Sequence, residues 1–169
     1  MTGVGNPLHL TMEMFKTMAG IDIQPVPYRG DAAIFPALIT GEIQVAITPM
    51  ATSLPHVTAG TVRALAVAGA KRSAALPDVP TVAESGLVGF ESGSWQGWFV
   101  PANTPREVVG AIQQGAKAAL SAPDVLERLR VTGNEAVGST PDEFEQRFKA
   151  DLAKFAKIVK EAHIQWLPF

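Results

Sequence analysis

The sequence predicts an α/β fold with a mainly parallel sheet followed by a helical tail, and three observations carry that expectation. Short β-favouring stretches alternate with helical patterns as far as Val100, the order of βαβ units. Within that part, residues 62–67 read VRALAV, the nearly continuous apolar run of a buried parallel strand. From Thr104 the texture changes to long amphipathic helices with one weak strand.

The elements follow in order. Gly3-Val4-Gly5 leads into Asn6-Pro7, an N-cap with proline in the first turn, and Leu8, Met12, Phe15 and Met18 recur at helical spacing up to Gly20. Gly-x-Gly before a helix usually follows a strand, and none precedes it here, so the sequence reads as lacking an upstream element. Ile21, Ile23 and Val26 suit a short strand, with Pro25 and Pro27 placing it at a sheet edge. Arg29-Gly30-Asp31 is a turn, Asp31 capping a helix that reaches Thr40 and stops at Gly41.

Ile43, Val45 and Ile47 alternate in a strand ending at Thr48-Pro49, and a short helix follows to Gly60. Thr81 and Glu84 are spaced as a capping box for a short helix ending at Gly86. Residues 94–100 (SWQGWFV) read as a strand. Thr104-Pro105-Arg106-Glu107 is a second box with proline at the first helical position, and Val108, Ile112, Ala116 and Leu120 follow on one face. Pro123 opens a helix to Val131, residues 135–137 suit a short strand, and Thr140 with Glu143 makes a third box. Phe144, Phe148, Leu152, Phe155 and Val159 then form one long stripe.

Composition narrows the function. The chain has 169 residues, 47% apolar and 18% charged, which is globular and long enough to bury a core without a metal or disulfide staple. Net charge is −2 and no Lys/Arg run suits nucleic acid. The absence of cysteine excludes disulfides, thiolate nucleophiles and Cys-based zinc sites. No apolar run is long enough to span a bilayer, and the chain as given carries no export signal.

Catalysis is disfavoured. His9, His56 and His163 stand in no HxxxH or HExxH pattern, and no GxSxG elbow occurs; His56 reads as a capped or solvent-edge residue. No cofactor and no metal are expected. The informative features are the turns at Gly3-Val4-Gly5-Asn6, Tyr28-Arg29-Gly30-Asp31 and Thr48-Pro49, each leading into a helix N-terminus with free N–H groups. In a parallel sheet such turns gather at the carboxyl ends of strands and suit an anion. Without a lysine-bearing phosphate loop, a small carboxylate fits better than a nucleotide. Tyr28 beside the second turn reads as core, rim or ligand contact. Trp95 and Trp98 point to opposite faces of a strand, one into the core and one toward a cleft or domain contact.

Several segments together resemble one family. They are GNPLHLTMEMF from Gly5, VPYRGDAA from Val26, LPHVTAGTVRALAV from Leu54, KRSAALPDVPTVAESGLVGFE from Lys71 and SWQGWFVPANTP from Ser94. In order and spacing they are similar to the Bug-type receptors of tripartite tricarboxylate transporters. The resemblance implies a periplasmic-binding-protein-like lobe, a small carboxylate ligand gripped between two lobes, membrane permease subunits as partners, a periplasmic location and no enzymatic role. It implies Gly3, Val4, Gly5, Asn6, Tyr28, Arg29, Gly30, Asp31, Thr48 and Trp95 as binding residues. Asn6 stands where the family often has serine, and Thr48 where many members carry aspartate, a loss that shifts selectivity away from ligands bearing an amino group.

The resemblance also implies a division. Residues 3–102 form the second, ligand-binding lobe without its first strand and helix, and residues 103–166 form a tail that in the family packs on the first lobe. The chain reads as truncated, with the Phe144 stripe an open patch through which a homo-oligomer could form. The rival readings are an effector-binding domain of a transcription regulator and a non-binding oligomeric remnant.

Overall fold

Asn6 starts the first helix as its sequence dictates. Its side chain accepts the His9 N–H at 2.8 Å, Pro7 follows with no N–H to lose, and α1 runs Pro7–Ala19 until Gly20 turns left-handed at φ 64°. The computed structural model describes residues 5–161, so Gly3, Val4 and His163 lie outside the described residues. A 3-10 turn at Asp31–Ala33 leads into α2 (Ile34–Ile39), and α3 spans Met50–Thr58. The tail carries α4 (Arg106–Leu120), α5 (Pro123–Val131) and α6 (Pro141–Glu161). No helix among the described residues is long and apolar enough to cross a membrane.

The expected parallel sheet does not form a ladder among the described residues. Its one trace is a parallel bridge between Val67 and Thr81. There Val67 N–H donates to Pro80 O at 2.9 Å and Val82 N–H to Val67 O at 3.0 Å, and Ser92 N–H reaches Ala68 O at 2.8 Å. The other stretches read as strands find no neighbour to pair with. A strand is made by its partner, and the apolar pattern of residues 62–67 records a readiness for burial that is met at Val67, 8% exposed, and not at Leu65, 64% exposed.

The three capping boxes diverge. Thr140 and Glu143 exchange bonds of 2.8 and 3.3 Å and begin α6. Thr81 and Glu84 close theirs at 2.7 and 3.0 Å, yet only a turn follows, because Gly86 at φ 118° ends the chain's helical path before nucleation is repaid. At the second box Pro105 itself is the N-cap, in extended conformation, so Thr104 lies one residue too far back and makes no cap bond.

Two small cores hold these pieces. The first joins α1, α6 and the loop between them through Leu10, Met14, Phe90 and Ile158, with Phe15 meeting Phe90 edge to face at 6.2 Å. The second joins Ile34, Ala37 and Ile43, with Tyr28 packed on it. The α6 stripe, expected as an open patch, is covered in part, with Leu152 left 56% exposed. Phe144 and Phe148 pack against Trp95, at 5.0 and 6.0 Å, and against Phe99. Gly97 makes this possible, since any side chain there would occupy the Phe144 ring. The open apolar helix faces belong instead to α4 and α5, where no residue is buried and Val108, Ile112, Leu126 and Val131 face out.

The accessible surface is 11637 Å². Size scaling gives a compact monomer of 17.9 kDa roughly 8,000 Å². Part of this surface is apolar, Val88, Val137, Trp98 and Phe99 being the most exposed large apolar residues, at 87%, 79%, 76% and 69%.

Candidate functional site

The first turn is set by Gly5, whose φ of 82° a side chain would resist. Its N–H donates to His9 Nδ1 at 3.0 Å while Asn6 Oδ1 accepts from His9 N. The result is a capping box displaced by one residue, with a histidine ring reaching back where glutamate usually does. His9 is 5% exposed, and its Nε2 lies 3.6 Å from Glu13 Oε1. Burial pushes the imidazole below its usual pKa against the opposing pull of Glu13. The neutral ring then carries its proton on Nε2, since Nδ1 is an acceptor. Behind the turn, Thr11 and Ser92 share a buried 2.6 Å hydrogen bond that ties α1 to residues 90–92.

The second turn hangs from Tyr28. Its hydroxyl donates to Glu42 Oε1 at 2.8 Å, a bond that holds the phenol pKa above its usual value, and its ring rests on the second core. This fixes one end of Arg29-Gly30. Gly30 takes φ 87°, and Arg29 is exposed with no ion pair among the described residues. Asp31 opens the 3-10 turn by its backbone.

The third turn brings Thr48, half-buried, to the start of α3. Pro49 is the N-cap and supplies no side-chain cap, and Thr52 N–H already turns back to Pro49 O at 3.2 Å, so it is the Met50 and Ala51 N–H groups that are open to an anion. His56 is half-buried: its ring stacks on buried Phe35 at 4.1 Å and joins α3 to α2, while its Nδ1 lies 3.4 Å from the exposed Thr61 hydroxyl.

The sequence-expected residues therefore fall into two supports. Gly5 and Asn6 stand on the first core, and Tyr28, Arg29, Gly30 and Thr48 on or beside the second. Trp95 lies with the first group but is occupied: its indole N–H donates to Asp151 Oδ2 at 2.7 Å, and its ring is packed on α6. Trp98 is the more exposed tryptophan of the pair, at 76% against 37% for Trp95. Asp151 is 6% exposed and also receives Arg147 Nε at 2.9 Å and Lys154 Nζ at 3.0 Å. Burial works to raise its pKa, but these hydrogen bonds outweigh burial and hold it below the usual value. Sequence reasoning missed His9 and Glu42, although the i,i+4 spacing from Gly5 to His9 was a visible signal. No group of three or more metal-ligating side chains occurs among the described residues.

Comparison with known proteins identifies the family. Residues 1–164 match the model described as tripartite tricarboxylate transporter family receptor. The UPF0065 protein of the tcbD-tcbE intergenic region of Pseudomonas sp. (strain P51) is 34% identical over 94% of this chain and 48% of its own length. A protein of R. palustris solved with adipate is 36% identical, with a TM-score of 0.82 over 96% of this chain and 55% of that one. The periplasmic binding protein BugD is 30% identical at a TM-score of 0.80, covering 98% of this chain and 56% of that one. The chain thus spans about half the length of these relatives. It belongs to the tripartite tricarboxylate transporter receptor family, whose members are periplasmic solute-binding receptors and not enzymes.

Proposed function

We propose that this chain is the carboxylate-gripping part of a receptor for a tripartite tricarboxylate-type transport system, working in the periplasm with membrane permease subunits. The observation that carries the reading is the likeness, over 96% of the chain, to a protein solved with adipate. The ligand is a small di- or tricarboxylate. Arg29 and the open N-terminus of α3 supply the positive groups, while Gly5, Asn6, Tyr28, Gly30 and the Asp31 backbone shape the turns. Trp95 supports the site from behind rather than gripping the ligand.

Residues 3–102 form the binding lobe, and the tail to residue 166 helps join it to a second lobe. Exposed apolar side chains, among them Leu65, Trp98, Phe99 and those on α4 and α5, support this reading. In a complete two-lobed receptor, residues 43–47 and 62–67 pair into the parallel sheet.

Two variants test the site. Arg29→Gln is expected to weaken adipate binding roughly ten- to hundredfold, the worth of one charge-assisted hydrogen bond, with the circular dichroism unchanged. NMR titration with adipate measures this, and an unaltered affinity would remove Arg29 from the grip. Thr48→Asp is expected to move preference from adipate toward glutamate, because a carboxylate there pairs with an ammonium group. An unchanged ratio of the two affinities would contradict a selectivity role for residue 48.

A further inference from the structure

The Gly5–Asn6 turn has two chemical states, because the group that holds it can be protonated. Gly5 N–H donates to His9 Nδ1 at 3.0 Å, which requires a lone pair on that nitrogen. Gly5 sits at φ 82°, a conformation with no intrinsic preference to persist. The same residue closes the turn from its backbone, His9 N–H donating to Asn6 Oδ1 at 2.8 Å.

We propose that His9 is a positioning residue for ligand binding: its unprotonated Nδ1 holds the Gly5 amide and so keeps the Gly5–Asn6 turn in the form that grips the carboxylate. A second proton on the ring places Nδ1–H against Gly5 N–H, two donors facing each other, and the turn opens. The inference rests on the reading that this turn contacts the ligand.

The surroundings of the ring favour the neutral state. Burial is the largest influence and lowers its pKa. Glu13 at 3.6 Å opposes this, while Lys16 acts with burial. Glu13 is also bound to Lys16 at 3.0 Å, which offsets its pull on the ring. From α6, packed across α1, Asp151 is turned to Trp95 and Arg147, and Lys154 to Asp151 and Glu91; Glu91 itself pairs with Arg147. The sign follows. A histidine whose folded pKa lies below the unfolded value favours the fold fully above the unfolded value of about 6.5, and loses that contribution as pH falls below it.

Two substitutions separate the roles of the ring. Asn carries an oxygen at the same δ position, so His9→Asn keeps the acceptor and removes the titration. His9→Phe keeps a ring and removes the acceptor. The first readout needs no ligand: the Gly5 amide resonance, followed by NMR from pH 8 to pH 4.5, is expected to move together with the His9 ring in the unmodified chain and to stay fixed in His9→Asn. The second readout is adipate affinity. It is expected to fall roughly tenfold on acidification in the unmodified chain, the worth of one hydrogen bond, to stay flat in His9→Asn, and to be low at every pH in His9→Phe.

A Gly5 amide that ignores the titration of His9 overturns the proposal, as does an affinity that rises on acidification. Coupling of Gly5 to His9 with no adipate binding at any pH would leave the turn's control by His9 standing and sink the assignment of the ligand site instead.

Discussion

Phe90→Ala is expected to cost about 3–5 kcal/mol, the usual range for emptying a buried phenylalanine site. Phe90 is 2% exposed and is where α1 and α6 meet, touching the cluster of Leu10, Met14 and Ile158 and standing edge to face with Phe15. Few other buried apolar residues share the load. A domain of ordinary stability holds about 5–15 kcal/mol in total, so this loss removes much of the margin. It also frees the N-terminal end of α1 from its support, so the Gly5–Asn6 turn loosens with the core. Urea denaturation checks the prediction through the midpoint at constant slope. Phe90→Leu, which keeps most of the volume, is expected to cost under about 1.5 kcal/mol. Equal midpoints for Phe90→Ala and the unmodified chain would mean that the two helices are held together elsewhere.

Asp151→Ala is expected to cost about 2–4 kcal/mol, because it removes three charge-assisted or short hydrogen bonds and strands a partly buried indole N–H. The carboxylate receives Trp95 Nε1, Arg147 Nε and Lys154 Nζ within 3.0 Å. Arg147 and Lys154 regain water readily, so most of the cost falls on Trp95 and on the aromatic contacts it makes with Phe144 and Phe148. Near-UV circular dichroism should weaken as Trp95 loses its fixed setting, and Asp151→Asn, which keeps one acceptor, should recover part of the loss. The pH dependence has a definite sign. A carboxyl held below its usual pKa stabilises the fold at every pH above the unfolded value of about 4, and that contribution is lost only as pH falls below it through the folded value. The aromatic staple between residues 95–99 and α6 therefore survives the mild acidification that releases His9. Simultaneous loss of both on one titration curve would contradict the separation.

The helices were legible because their signals are local. Asn6-Pro7 and Gly20 bound α1 as an N-cap, a first-turn proline and a left-handed stop, and Thr140 with Glu143 sets the start of α6. The sheet was not legible in the same sense. The run VRALAV announces a segment fit for burial between neighbours, but neighbours come from elsewhere, and the described residues offer residues 62–67 only the Thr81 bridge. The stripe on α6 shows which face is apolar and not what covers it; the cover is Trp95 and Phe99, brought in by a loop.

Of the site, the glycines and Arg29 could be read from sequence because turns demand particular residues. The role of His9 could not be inferred in the same way. The spacing from Gly5 to His9 is visible, but a box closed by a histidine ring onto the residue before the cap has no common sequence form, and it is the 3.0 Å bond that gives the spacing its meaning. Trp95 is a related case: alternation along a strand separates two tryptophans but does not say which one finds a carboxylate such as Asp151.

The central claim is that the turns of this chain grip a small carboxylate. Calorimetric titration of the unmodified chain with adipate, alongside the uncharged diamide of the same length, tests it most directly. The account predicts saturable heat with adipate at pH 7.5, none with the diamide, and a loss of the adipate signal in Arg29→Gln. A chain shown to be helical by circular dichroism that gives no saturable heat with adipate, or equal heat with the diamide, would contradict it.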